Sequence, residues 1–140
     1  MTGAPANKAI LRGVFDETAK GNGRPFVEAL DADVVWTIIG STDWSRRYTG
    51  KRAVLSELLG PLSDQLDGAN TIVADRLIAE DDWVAVEGHG ENRTRAGKTY
   101  RNRYCWTIRM AGGKIVDVTE YADTQLIATA LEAPRMRTPE

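Results

Sequence analysis

The sequence is poor in the residues from which several common kinds of site are built. Its 140 residues include one cysteine, Cys105, and one histidine, His89. A single cysteine cannot form an intrachain disulfide, and one cysteine with one histidine cannot supply a zinc cluster of the usual spacing. The sequence therefore predicts no metal site, and it predicts a cytoplasmic protein that stays in a reducing compartment.

Long runs of one residue type are also missing. The 18 basic and 20 acidic residues give a formal charge of -2, and no basic run is long enough to act as a nucleic-acid-binding arm. Apolar residues nowhere extend to the roughly eighteen that a membrane span needs, and residues 1–8 lack the apolar core of a signal peptide. No phosphate-binding glycine loop or dinucleotide fingerprint is visible. The sequence thus predicts no cofactor, no nucleic-acid partner and no membrane association.

The hydrophobic pattern predicts helices mainly in the first half of the chain and strands mainly in the second. The predicted helices cover residues 6–20, 25–30, 51–66 and 124–131. The predicted strands cover residues 34–39, 71–79, 83–94, 98–110 and 114–123. Short connections make the later strands antiparallel, so the pattern predicts an α+β fold with helices on one face of a curved antiparallel sheet. The length fits one domain, with a core over about residues 8–131 and a frayed tail over 133–140.

The last predicted strand carries a carboxylate on its apolar face. Val116, Val118 and Glu120 share that face, because side chains alternate along a strand with period two. An ionised carboxylate is costly to bury alone, so Glu120 is paired with a partner, has a raised pKa, or faces a cavity. Each option makes Glu120 a candidate functional residue, and a structural ion pair explains it equally well at this stage.

Two hairpins predict which side chains join Glu120 on its face. A two-residue turn at residues 96–97 sets His89 opposite Tyr104, and a three-residue loop at residues 111–113 sets Tyr104 opposite Glu120. The shared face would hold Ala85, Glu87, His89, Asn102, Tyr104, Trp106, Ile108, Val116, Val118 and Glu120. The other side would carry Arg101, Arg103, Thr107, Arg109, Asp117 and Thr119, which suits solvent or a polar subunit contact.

The predicted face contains groups suited to proton transfer. His89 is the easiest proton acceptor at neutral pH, and Glu120 either acts as the base itself or orients His89. Tyr104 and Asn102 are hydrogen-bond donors that could hold a carbonyl oxygen or a developing oxyanion. A buried or solvent-facing histidine and ordinary strand hydrogen bonding are the competing explanations.

Aromatic side chains and one valine are the predicted walls of the ligand site. Trp36 and Trp106 would give flat apolar walls for a ring-shaped ligand, and Val118 would continue the apolar surface. Trp44 and Tyr48 belong to a polar and aromatic loop that is long enough to cover a pocket mouth. Simple core packing is the competing explanation for the tryptophans.

Four motifs stand out along the chain. They are Asp33-Val34-Val35-Trp36 followed by Gly40, Gly50-Lys51-Arg52-Ala53-Val54, Tyr100-Arg101-Asn102-Arg103-Tyr104, and Gly113-Lys114-Ile115 leading to Glu120-Tyr121-Ala122-Asp123-Thr124. Together they resemble the nuclear transport factor 2-like superfamily, in particular its SnoaL-like group, which includes ketosteroid isomerase and limonene epoxide hydrolase. The resemblance implies a single SnoaL-like domain over residues 1–140 and a homodimer. It also implies the cystatin-like fold, a cone-shaped, strongly curved antiparallel sheet wrapped around helices.

The resemblance argues against the two best-known chemistries of that group. The catalytic base of ketosteroid isomerase would correspond to Ile38 and its oxyanion-binding acid to Trp106, and neither side chain can do that work. The water-activating aspartate of limonene epoxide hydrolase would correspond to Glu120. Its arginine and aspartate partners would fall near Gly88 and Gly90, so that triad is incomplete here. The same alignment places the glycine side of residues 83–94 toward the pocket, whereas the hairpin count places His89 there, and the sequence leaves these two alternatives open.

Function therefore remains open between two classes. The residues favour a cofactor-independent isomerase, cyclase or hydrolase that acts on a small, largely apolar carbonyl or epoxide compound, with Glu120 and His89 moving the proton. The alternative is a noncatalytic ligand-binding or protein-assembly module on the same fold. The predicted partners are a small apolar ligand and a second copy of the chain, joined through the sheet face away from the pocket.

Overall fold

The computed structural model describes residues 3–136, and its helices lie mainly in the first half of the chain. The helical segments are α1 (Ala4–Thr18), α2 (Arg24–Ala29), α3 (Lys51–Ala53), a π-helical segment (Val54–Leu59), α4 (Gly60–Gln65) and α5 (Thr124–Ala130). Within residues 3–136 no helix combines the length and the apolar character needed to cross a membrane. The predicted frayed tail lies outside the described residues from position 137 onward.

Six strands form one large curved sheet, and two short strands form a separate hairpin. The strands are β1 (Leu30–Ile38), β2 (Arg47–Thr49), β3 (Ile72–Glu80), β4 (Trp83–Gly90), β5 (Asn92–Arg93), β6 (Thr99–Tyr100), β7 (Arg103–Ala111) and β8 (Lys114–Ala122). The order in the large sheet is β2-β1-β8-β7-β4-β3. Its pairs are antiparallel except β1 with β8, which is parallel. The predicted α+β fold is confirmed, with this one parallel pair added.

The long helix α1 covers part of the inner face of the sheet with an apolar stripe. In α1 the buried side chains Leu11, Val14, Phe15 and Thr18 follow one another at helical spacing. The Thr18 hydroxyl donates to the backbone carbonyl of Ile72 at 2.8 Å, which ties the end of α1 to β3. The predicted helix over residues 51–66 is divided by the π-helical segment that immediately precedes Gly60 and Pro61.

The hairpin between β4 and β7 differs from its prediction by one residue. Thr94 N donates to Lys98 O at 2.8 Å, so the loop holds three residues and ends in Gly97 with φ +89°. A left-handed glycine at the end of a three-residue loop is a common hairpin closure. His89 consequently pairs with Arg103, and the prediction that His89 lies opposite Tyr104 is wrong.

This one-residue shift turns β4 over, because neighbouring strand residues face opposite sides of the sheet. Gly88 lies opposite Tyr104 and Val86 opposite Trp106, so the glycine and valine side of β4 faces inward. Ala85, Glu87 and His89, which were predicted on the inner face, therefore lie on the outer face.

The hairpin between β7 and β8 also differs from its prediction, but without changing the faces. Ala111 pairs with Lys114 across a two-residue turn, and a bulge follows between Arg109 and Met110. Trp106 lies opposite Glu120, whereas the prediction placed it opposite Val118. The offset is two residues, so Tyr104, Trp106, Ile108, Val118 and Glu120 keep the common face that was predicted. The bulge makes Ile115 the buried residue near the turn, and Val116 is only half-buried.

Candidate functional site

A cavity of about 220 Å³ lies between the inner face of the sheet and the helices. The helices contribute mainly apolar side chains to its wall, and the sheet contributes aromatic rings together with one carboxylate, Glu120. Gly23 and Ser63 line the cavity and are also exposed to solvent. The mouth of the cavity therefore lies between the start of α2 and α4.

Stacked aromatic rings form the flat wall of the cavity. The rings of Tyr104 and Trp106 stack with centroids 4.5 Å apart, and Trp106 stacks on Phe15 at 5.6 Å. Phe26 meets the rings of Phe15 and Trp36 edge-on, each at 5.8 Å. Such contacts fix ring orientations beyond simple area burial, so the rings form a flat apolar wall with a defined arrangement.

Two glycines on β4 leave room for these rings. A Cβ at Gly88 would lie 2.6 Å from the carbonyl oxygen of Val73 and 3.2 Å from the Trp106 ring. A Cβ at Gly90 would lie 3.6 Å from the Tyr104 ring and 3.2 Å from the amide of Asn92. Limonene epoxide hydrolase would have charged side chains near Gly88 and Gly90. In this protein the aromatic rings and the neighbouring backbone fill the space that such side chains would need.

Replacing Gly88 with alanine is expected to destabilise the fold by about 1–3 kcal/mol, because the added methyl group has no space against a backbone carbonyl. Gly13→Ala is the matched control. It lies in α1 with no atom within 4 Å of its added Cβ, and it is expected to stabilise by about 0.5–1 kcal/mol. Urea unfolding of both variants measures the difference. Equal stability of Gly88→Ala and wild type would contradict this account of the wall.

Glu120 is the buried carboxylate of the cavity. Its side chain is 9% exposed, and its Oε1 accepts a hydrogen bond from Trp106 Nε1 at 2.9 Å. Among residues 3–136 no cationic side chain pairs with it. Burial raises the pKa of Glu120 to about 7, and the N–H groups of Trp106 and Trp36 oppose this shift. At neutral pH Glu120 therefore exists in both protonation states, as a group that takes and returns protons requires.

A tyrosine pair lies beside Glu120. Tyr104 Oη donates to Tyr100 Oη at 3.5 Å, and Asn102 Nδ2 also donates to Tyr100 Oη, at 3.2 Å. Burial raises the pKa of Tyr100 and, further, that of Tyr104, so both phenols stay protonated. Within the described part of the chain the Tyr100 hydroxyl proton has no acceptor. Tyr100 is therefore the phenol whose proton is available to a ligand.

Asn102 has a different role from the one predicted. Its Oδ1 accepts from the backbone N–H of Asp123 at 3.0 Å, and its Nδ2 donates to the Asp123 carbonyl at 3.2 Å. Asp123 in turn caps α5 by accepting from Leu126 N at 3.1 Å. Asn102 is fully buried and is not part of the cavity wall. It positions Tyr100 and anchors the start of α5.

The remaining predicted wall residues divide into two groups. Trp36 and Trp44 line the cavity, and the indole N–H of Trp44 donates to Glu132 O at 3.0 Å. Tyr48 and Val118 are buried in the core outside the cavity wall. Tyr48 supports the wall from behind, because its hydroxyl donates to the Trp44 carbonyl at 2.7 Å.

His89 lies on the opposite side of the sheet from the cavity. Its Nδ1 contacts Asp75 Oδ2 at 2.8 Å and its Nε2 contacts Glu91 Oε1 at 3.1 Å. These two carboxylates raise the pKa of His89. The predicted partnership of His89 with Glu120 is therefore wrong, and His89 holds together the outer surface of β3 and β4.

A His89→Gln variant is expected to lose stability below pH 6.5 and to match wild type at high pH. The folded pKa of His89 is raised above its ordinary value of about 6.5. The stabilisation is therefore fully present below the unfolded pKa and is lost as pH rises through the folded pKa. Urea unfolding of wild type and His89→Gln, at pH values below and above the range between the unfolded and folded pKa of His89, measures this stabilisation. A stability difference that grows with pH would contradict the assignment.

Several cavity residues were not recognised in the sequence. Tyr100 shares the alternation of Asn102, Tyr104 and Trp106, so period-two counting could have placed it on the inner face. The contributions of the helices, such as that of Phe26, carried no such signal, because an apolar helical stripe indicates burial whether or not a cavity lies beneath it. Residues 3–136 contain no group of three His, Cys, Asp or Glu side chains that could hold a metal ion.

Comparisons with known proteins give one family model and several solved structures of the same fold. A sequence model of the SnoaL-like domain matches residues 11–118. An NTF2-like protein from Burkholderia thailandensis is 21% identical, with 94% of this chain and 99% of that chain covered at a TM-score of 0.77. A proposed isomerase from Bacillus subtilis is 17% identical, with 94% and 97% covered at a TM-score of 0.75. A proposed SnoaL-like polyketide cyclase from Jannaschia is 14% identical, with 94% and 95% covered at a TM-score of 0.74. No curated protein matches the chain.

Proposed function

The chain belongs to the SnoaL-like domain family of the nuclear transport factor 2-like superfamily, and we propose that its cavity carries out acid/base chemistry on a small, largely apolar carbonyl compound. One observation carries this proposal. Glu120 is a buried carboxylate without a cationic partner in the described part of the chain, and it faces an aromatic cavity. An uncompensated buried charge destabilises a fold, so a functional role explains its presence better than a structural one.

The proposed reaction transfers one proton. The Glu120 carboxylate removes a proton from the carbon next to the carbonyl group, and the electron pair of that C–H bond forms a carbon–carbon double bond. The carbonyl oxygen becomes an enolate oxygen and accepts the hydrogen bond that Tyr100 has available. Where the substrate has a carbon–carbon double bond between its β- and γ-carbons, the enolate extends over that bond. Protonated Glu120 then returns the proton to the γ-carbon, which moves the double bond next to the carbonyl group and completes an isomerisation. An enolate that instead attacks a second carbonyl carbon of the same molecule closes a ring, as a cyclase does, and protonated Glu120 gives its proton to the alkoxide oxygen that this attack forms.

Deuterium exchange into 2-tetralone, a bicyclic ketone with exchangeable protons next to its carbonyl group, tests the proposal. The wild-type protein is expected to accelerate exchange in D2O. Glu120→Gln is expected to lower the rate by about 10²- to 10⁴-fold, because it keeps the shape but removes the proton acceptor. Glu80→Gln, at an exposed position at the end of β3, is the matched control and should exchange like wild type.

Two outcomes of this experiment would reject the catalytic proposal. One is exchange by Glu120→Gln at the wild-type rate. The other is a wild-type protein that binds 2-tetralone but does not accelerate exchange, which would favour the noncatalytic ligand-binding module.

We also propose a homodimer formed through the outer face of the sheet. A row of uncharged side chains crosses this face from β3 to β8, in the order Ile78, Ala85, Thr107 and Thr119. Ile78 is 57% exposed. Val84 and Val86 are fully buried on the inner face and take no part in this row. In a symmetric dimer this uncharged row of one subunit would pack against the same row of the other, with charged residues at the edges of the contact.

Light scattering is expected to give a mass of twice the 15.4 kDa chain. Thr107→Glu is expected to shift the protein to monomer, because it places two equal charges near the centre of the interface. Arg24→Glu, on the far side in α2, is the control and should remain dimeric. A wild-type mass of one chain at micromolar concentrations would contradict the proposed dimer.

A further inference from the structure

Trp36 carries an unpaired hydrogen-bond donor inside the cavity. Its side chain is 4% exposed, and its Nε1 is the one buried side-chain nitrogen or oxygen in residues 3–136 without a hydrogen-bond partner. Buried polar groups are almost always paired, and leaving one unpaired costs free energy. The other cavity tryptophans differ in this respect, because Trp44 donates to a backbone carbonyl and Trp106 donates to Glu120. Trp36 therefore calls for a functional explanation.

The unpaired donor lies next to the proposed base. Strands β1 and β8 run side by side in parallel, with Trp36 opposite Val118 and Ile38 opposite Glu120. Both Trp36 and Glu120 line the cavity. The indole N–H is near enough to favour the ionised form of Glu120, although its geometry falls short of a hydrogen bond.

The carboxylate supplies the matching acceptor. Trp106 donates to Glu120 Oε1, and no described residue donates to the second oxygen, Oε2. The cavity thus contains one free donor and one free acceptor close together. A carbonyl or ether oxygen satisfies only the donor, whereas a hydroxyl group satisfies both, since its oxygen accepts and its proton is donated.

We propose that Trp36 Nε1 and Glu120 Oε2 clamp one hydroxyl group of the ligand. The ligand oxygen accepts from the indole N–H, and the ligand O–H donates to the carboxylate. This inference rests on the proposed function in one respect, namely that Glu120 faces the ligand. It adds that the compound is an alcohol, a hydroxy ketone or an enol on an apolar body, and it makes Trp36 the residue that selects for the hydroxyl group.

The clamp has a defined dependence on pH. Its acceptor is the ionised form of Glu120, so binding of an alcohol should strengthen as pH rises through the pKa of about 7. A ketone should show the opposite trend, because the protonated carboxyl can donate to a carbonyl oxygen. Three other titratable groups interact electrostatically with Glu120, namely the phenols of Tyr48, Tyr100 and Tyr104. Burial raises the pKa of each phenol above its ordinary value. None of these phenols titrates in the same range.

Calorimetric titration with 2-tetralol and 2-tetralone, which share one carbon skeleton, tests the clamp. At a pH of about 8.5 the wild-type protein is expected to bind the alcohol about tenfold more tightly than the ketone. Trp36→Phe keeps an aromatic ring but removes the N–H, and it should reduce this preference to about twofold or less. Trp83→Phe is the matched control. It removes the indole N–H of an exposed tryptophan on β4 that does not line the cavity, so it should keep the preference.

Three results would overturn the clamp. They are equal or tighter binding of the ketone by wild type at high pH, an unchanged preference in Trp36→Phe, and no binding of the alcohol below about 1 mM. The first two would indicate that the two groups hold only water. Because these measurements use wild-type binding, their failure is distinct from failure of the proposed function, which the deuterium exchange of Glu120→Gln decides. The opposite pH trends of the two ligands test the clamp in wild type even where Trp36→Phe does not fold.

Discussion

Glu120→Gln is expected to stabilise the protein by about 3 kcal/mol above neutral pH and to leave its stability nearly unchanged near pH 4. The folded pKa of Glu120 is about 7, whereas the ordinary value for glutamate is about 4.3. Between these values the folded protein retains a proton that the unfolded chain has released. Stability therefore falls as pH rises through this window and remains low above it. Glutamine carries no charge to bury, so it removes the penalty.

Urea unfolding of wild type and Glu120→Gln across this pH window measures the effect, with Glu80→Gln as the exposed control. A protein that keeps an active-site charge at the expense of stability should gain when that charge is removed. A loss of about 3–5 kcal/mol would contradict the account, because it would show that Glu120 belongs to a buried ion pair.

Trp106→Ala is expected to destabilise the protein by about 3–5 kcal/mol, the largest loss among the substitutions considered. The Trp106 ring stacks between Phe15 and Tyr104 and fills the space left by Gly88. Its removal leaves a void in the cavity wall and takes away the hydrogen-bond donor of Glu120. Urea unfolding measures this loss, and a change below about 1 kcal/mol would contradict the proposed wall.

Trp106→Phe separates the two roles of this residue. It keeps an aromatic ring in the stack but removes the N–H that favours ionised Glu120, so the pKa of Glu120 should rise further above 7. The pH profile of 2-tetralone exchange should then move to higher pH. Trp83→Phe, at an exposed position outside the cavity, is the control, and its profile should coincide with that of wild type. An unchanged profile in Trp106→Phe would show that this hydrogen bond does not tune the base.

The faces of the strands were readable from the sequence only where the errors in the pairing register added up to an even number of residues. The pairing across the β7–β8 hairpin was off by two, because the turn is one residue shorter than predicted and the bulge shifts the register by one more, which left Glu120 and Trp106 on the inner face as predicted. The count across the β4–β7 hairpin was off by one, and His89 moved to the outer face. Gly97 decides this difference, because its left-handed conformation closes a three-residue loop. Alternation alone cannot distinguish the two loop lengths.

The environment of Glu120 depends on contacts between distant parts of the chain. Trp36 lies near Glu120 only because β1 pairs in parallel with β8. The two strands are far apart in the sequence, so no short connection predicts this pairing. Within residues 3–136, the absence of a cation beside Glu120 and the unpaired N–H of Trp36 are likewise properties of the packed cavity. The local pattern therefore identified the carboxylate, and tertiary packing determined whether this carboxylate belongs to an ion pair.

The titration of the Glu120 carboxyl group is the most direct test of this account. Carbon-13 NMR follows the side-chain carboxyl signals of glutamate across pH, and the signal missing from Glu120→Gln identifies residue 120. The expected midpoint is near 7, in agreement with a buried carboxylate beside the indole N–H groups of Trp106 and Trp36. A midpoint near the ordinary value of about 4.3 would contradict the account, since it would show that Glu120 is hydrated or paired with a cation.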